Sequence, residues 1–120
     1  MSKMQKTVKK LDNNVLKALT KACEEAKEKV EGFEWLTHYA HYDRFPGSLA
    51  VICVFDSPES LAGACEQQSD VYMRKLIQNH LLKVGIVLKD ARKHVFFDNE
   101  VDCQDEHAGD WQRRLKPYHF

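Results

Sequence analysis

Glycine and proline are scarce in this chain, with five and three in 120 residues. Each glycine stands where a turn or helix end is expected, so a glycine-rich phosphate loop is not expected. G-x-S-x-G and H-E-x-x-H, which would mark a hydrolase or a zinc protease, are absent as well. Long apolar runs are also missing. The longest, Leu49–Phe55, is far short of the roughly 20 residues that a membrane helix needs. The first residues, Met-Ser-Lys-Met-Gln-Lys, lead into no apolar stretch. We therefore expect no signal peptide, no membrane association and a cytoplasmic location. The four cysteines, Cys23, Cys53, Cys65 and Cys103, contain no C-x-x-C pair, so neither a zinc ribbon nor a disulfide framework is expected.

Net charge is also missing: 18 basic residues balance 18 acidic ones. The balance hides a pattern. Residues 1–30 hold eight lysines against four acids, and residues 71–96 hold six basic residues against one acid. The segments after each, 31–70 and 97–120, are acidic. A uniformly basic nucleic-acid protein is excluded, whereas a basic face built from two segments is not. Hydrophobic residues at 43% and charged residues at 30% are ordinary for a globular domain. We expect one domain over 11–120, preceded by a flexible basic tail over 1–10.

Periodicity supplies the elements. Leu11, Val15, Leu19, Ala22, Cys23, Ala26 and Val30 recur mostly every three or four residues, which predicts an amphipathic helix stopped at Gly32. Phe33–Tyr42 is rich in aromatic residues and predicts a strand. Pro46-Gly47 predicts a turn into a second strand over Leu49–Phe55. Ser57-Pro58-Glu59 is a helix start, with Ser57 as cap and Pro58 at the first helical position. A helix over 58–66 and another over 71–84 follow. Ile86–Phe97 reads as a third strand, and about 100–115 as a last helix broken at Gly109. The order α-β-β-α-α-β-α predicts an α+β two-layer sandwich: a small three-stranded mixed sheet with helices on one face. A long helical crossover precedes the third strand, which suits parallel pairing.

Two surfaces carry the candidate chemistry. On the first strand, Phe33 and Trp35 favour their own face as core, because large aromatics dominate burial. His38, Tyr42, Arg44 and Phe45 then form an exposed interaction surface at the hairpin tip. The other surface is basic: Arg74, Lys75, Lys89, Arg92 and Lys93 fall in one helix-strand unit and can contact phosphates, which give affinity without sequence specificity. A metal site is the third option. Cys103 and His107 are four apart on a helix, with His94 as a distant third ligand. Its ligand set is incomplete, so we expect no bound metal and no cofactor.

The stretch Gly32-Phe33-Glu34-Trp35-Leu36-Thr37-His38, with Phe45-Pro46-x-Ser48-Leu49 and Val54-Phe55-Asp56, resembles a small uncharacterised family of gammaproteobacterial proteins. Some members are labelled Fis-type regulators. A Fis-type protein ends in a helix-turn-helix, whereas residues 86–120 hold a strand signal and an acidic helix. The resemblance implies a bacterial origin and brings no site residues. The element order also looks like that of type II KH RNA-binding domains and of BolA-like proteins. The KH clamp needs a G-x-x-G loop between its helices, and Glu66-Gln67-Gln68-Ser69 stands there. The expectation is a non-enzymatic binding domain, with RNA ahead of DNA as partner. A protein-interaction or homodimerising module is the alternative, and a metal or redox protein ranks third.

Overall fold

Six of the seven residues of Leu49–Phe55 form a central strand, and the rest of the fold is arranged to cover it. The computed structural model describes residues 2–119, with side chains described from residue 8 onward. Its elements are α1 (Ser2–Lys29), β1 (Phe33–Tyr39), β2 (Ala50–Phe55), α2 (Pro58–Glu66), α3 (Ser69–Lys83), β3 (Val95–Asn99), α4 (Glu100–His107) and α5 (Trp111–Arg114). Short 3-10 turns lie at Tyr42–Arg44, Ala91–Lys93 and Lys116–Tyr118. The sheet order is β1-β2-β3, antiparallel between the first pair and parallel between the second. The α+β class, the mixed three-stranded sheet and the parallel crossover all follow the sequence reading.

Helix α1 begins at Ser2, so the basic stretch 2–10, expected as a flexible tail, is helical. Lysine, glutamine and methionine propagate a helix well, and no glycine or proline interrupts them. Val15, Ala18, Leu19, Ala22 and Ala26 form its buried stripe, which Val30 continues just past the helix end. The chain then turns at Gly32, whose φ of +85° is open to glycine at little cost. A Cβ there would also lie 2.6 Å from that of Ser60. Ser57 caps α2 by accepting from the Ser60 amide at 3.1 Å. Helices α1, α2 and α3 cover one face of the sheet. Their core unites Leu19, Met73, Ile77 and Leu81 with Val51, Cys53 and Phe55.

Three expectations are corrected. First, helices do not cover one face alone. Ala50, Ile52 and Val54 face the other side, where Leu115, Trp111 and Tyr118 from the C-terminal segment pack on them. A strand whose six residues are all buried needs a layer on each side, as the unbroken apolar run of β2 implies. Second, Phe33 and Trp35 do not share a face. Phe33 is opposite Phe55 and Trp35 opposite Val54, so a β-bulge takes up Glu34. Phe33 joins the helix-side core and Trp35 the C-terminal one. Third, the last strand covers only Val95–Asn99. The Asp90 side chain accepts from the Arg92 amide at 3.1 Å and folds 91–93 into a 3-10 turn. Ile86 and Leu88 are buried in strand-like alternation, yet the Leu88 carbonyl accepts from the Gln78 side chain at 2.8 Å, so the segment is tied to α3.

The C-terminal layer is pinned by one cation. Arg114 donates to both carboxylate oxygens of Asp98 at 2.6 and 2.8 Å. It also donates to the Asp102 carbonyl at 3.2 Å and to the Glu106 carboxylate. Aromatic pairs close the layer: Trp35 with Trp111, Tyr39 with His119 and Phe96 with Tyr118.

Candidate functional site

The two surfaces picked from the sequence meet at one end of the sheet, with a different membership from that expected. Pro46 and Gly47 of the hairpin turn lie beside Val87, Lys89, Asp90, Lys93 and His94, enclosing a cleft of about 570 Å³. That volume is in the range of small-ligand sites, about 300–1,000 Å³. Local chemistry builds it. Gly85, at φ +84°, ends the crossover helix and starts the turn into the 86–94 segment. The buried side chains of Ile86 and Leu88 leave Val87 and Lys89 pointing out. His94 is fixed by its ring: Nδ1 lies 2.8 Å from the Leu49 carbonyl oxygen, which can only accept. A proton therefore sits on Nδ1, and in the neutral ring Nε2 is an acceptor.

Lys89 and Lys93 are exposed and make no ion pair among the described residues. Asp90 lies in the same cleft and acts on Lys93 through space, but its hydrogen bonds go to Arg92. Its carboxylate accepts from the Arg92 side chain at 3.1 and 3.2 Å, as well as from the Arg92 amide. These bonds hold Asp90 below the usual carboxylate range. Arg92, 79% exposed, stands at the rim with its remaining donors open. Lys75 is exposed on α3.

Arg74 is corrected out of this set. Its guanidinium pairs with Asp70 at 3.5 Å, donates to the Val95 carbonyl at 3.4 Å and lies 5.0 Å from the Phe97 ring centroid. It braces α3 against β3, and its Nε is buried with no hydrogen-bond partner. The expected hairpin surface is corrected too. The bulge at Glu34 turns His38 onto the helix side, where it lies 3.9 Å from Asp12. Burial lowers the His38 pKa, and the Asp12 carboxylate only partly offsets this. The Tyr42 hydroxyl donates to the same carboxylate, and burial first, then this bond, pushes its pKa up. Phe45 packs on the helix-side core, with its ring 5.2 Å from that of Tyr42. Of the four, Arg44 is the one that stays exposed. Three of these residues therefore close the hairpin onto α1.

The junction of α2 and α3 has a different character. Gln68, at φ +62°, makes the bend, and a groove of about 450 Å³ there is lined by Glu31, Glu59, Gln67 and Ser69, with Lys29 as its one cation. A phosphate finds little there to neutralise it. Among the described residues, no group of three or more His, Cys, Asp and Glu side chains could hold a metal ion. Cys103 is fully buried, and His107 Nδ1 sits 3.4 Å from Arg114. Burial raises the pKa of all four thiols, and a thiol shifted this way is a weaker nucleophile at neutral pH. No helix among the described residues is long and apolar enough to cross a membrane.

Sequence reasoning missed Val87 as a cleft wall and Asp12 as the hairpin's anchor. Neither leaves a local signal, since each acquires its neighbours from distant parts of the chain. No family model, curated protein or solved structure matches the chain.

Proposed function

We propose that this is a non-enzymatic binding domain for nucleic acid, with RNA ahead of DNA, and that the cleft between the hairpin turn and the 87–94 segment is its contact surface. One observation carries the reading. Lys89 and Lys93, both without an ion-pair partner among the described residues, flank a cleft whose single acid is hydrogen-bonded to Arg92. Cations left open in this way are what phosphate contacts require. The apolar walls, Pro46 and Val87, offer surface to a base. Single-stranded RNA suits them better than a duplex, because unpaired bases are free to leave the stack.

The test is a gel shift with single-stranded RNA and with duplex DNA of the same sequence. Binding at micromolar protein in about 50 mM salt is expected, weakening as salt rises. Reversing Lys89 and Lys93 to Glu should abolish it. Absence of binding at low salt defeats the proposal.

A second reading, a homodimer, has its own observation. Strand β1 is one of the two edge strands of the sheet, and a groove of about 390 Å³ runs between it and α1, lined by Leu16, Cys23, Leu36 and His38. Open edges recruit further strands. Light scattering separates the readings: a mass of twice 14.0 kDa, unchanged by the two lysine reversals, supports the dimer.

A further inference from the structure

The charge and size of the cleft restrict what part of a nucleic acid it can take. An internal nucleotide carries one negative charge on a phosphodiester, whereas a chain end bearing a phosphomonoester carries about −1.5 to −2 at neutral pH. Lys89 and Lys93 supply two positive charges, and Asp90 is held by Arg92. The balance favours the doubly charged group. The cleft is also a pocket of about 570 Å³ and not a long track, so it holds about one nucleotide unit and its phosphate. Val87, 60% exposed, and the Pro46 ring give a base an apolar wall. In the neutral ring, His94 Nε2 can accept a hydrogen bond from a ribose hydroxyl or a base amino group, because Nδ1 donates to the Leu49 carbonyl.

We infer that the cleft binds the terminal nucleotide of single-stranded RNA through its phosphomonoester, with Lys89 and Lys93 on the phosphate and His94 on the sugar or base. The inference rests on the reading of the cleft as an RNA surface and adds recognition of the chain end. Arg92 acts as a positioning residue: it keeps the Asp90 carboxylate from competing with the phosphate for the lysines.

The experiment compares one short labelled oligoribonucleotide in three forms: with a 5′-phosphate, with a 3′-phosphate and with hydroxyls at both ends. Fluorescence anisotropy on the intact chain reads the affinities. One phosphorylated form should bind about two- to fivefold tighter than the hydroxyl form, the effect of one further charge on exposed lysines. Lys89→Ala and Lys93→Ala together should bring the forms to equal affinity, and both positions are exposed, so the fold should persist. Equal affinities for all three forms in the unmodified protein overturn the end-recognition inference, while leaving RNA binding standing if that binding still depends on the lysines. Failure of every form to bind overturns both. Arg92→Ala gives a separate check: the phosphate preference should shrink although no cleft lysine is altered, and an unchanged preference refutes the positioning role.

Discussion

Replacing Arg114 by Met should cost about 3–5 kcal/mol of stability, far more than a surface arginine costs. The magnitude follows from what stays behind. Arg114 and Asp98 are 13% and 11% exposed, and they meet through two parallel hydrogen bonds. Removing one partner of such a pair leaves a desolvated charge, at about 3–5 kcal/mol. Glu106 adds little, because it is 62% exposed and water replaces the lost cation. Methionine keeps most of the stem volume, so a cavity is a minor part of the cost. Urea unfolding of both proteins gives the difference, and near-ultraviolet dichroism reports the Trp35–Trp111 contact in the layer that Arg114 pins. Adding Asp98→Asn to Arg114→Met should recover much of the loss, since the stranded charge is then gone. Arg114→Met within about 1 kcal/mol of the unmodified protein would refute the reasoning, as would a double variant no more stable than the single one.

Three more outcomes follow from the same packing. Leu115→Ala, at a residue 1% exposed beneath the sheet, should cost about 2–5 kcal/mol by urea unfolding. Tyr42→Phe removes one hydrogen bond to a half-exposed Asp12 carboxylate and should cost about 1 kcal/mol, with RNA binding unaffected. The His38 pKa lies below its ordinary 6.5 in the folded chain, so the unfolded chain binds its proton first. Stability from this group is complete above pH 6.5 and falls as the pH drops through the folded value. Thermal unfolding between pH 7.5 and 5 should show this slope, and His38→Leu should flatten it.

Much of the architecture was legible because it is written locally. The apolar stripe of α1, the Ser57-Pro58 start of α2 and the unbroken apolar run of β2 each state an element within a few residues. What stayed hidden depends on pairing across the chain. The bulge at Glu34 shows only once β1 is set against β2, and it decides that Trp35 leaves the face of Phe33. Alternation alone could not place His38 beside Asp12 for the same reason. The 86–94 segment carries strand-like residues, yet Asp90 draws Arg92 into a turn and Gln78 takes the Leu88 carbonyl. The basic unit was visible as composition. That Arg74 turns inward onto Phe97 while Lys89 and Lys93 stay open is a matter of tertiary contacts.

The salt dependence of RNA binding bears most directly on the proposed function. Each neutralised phosphate of a single strand contributes a slope of about −0.7 in log affinity against log salt. Lys89 and Lys93 together should give a slope of about −1.4, and the variant with both changed to Ala should bring it close to zero. A slope that is the same in both proteins, or no binding at low salt, would contradict the assignment of the cleft as the contact surface.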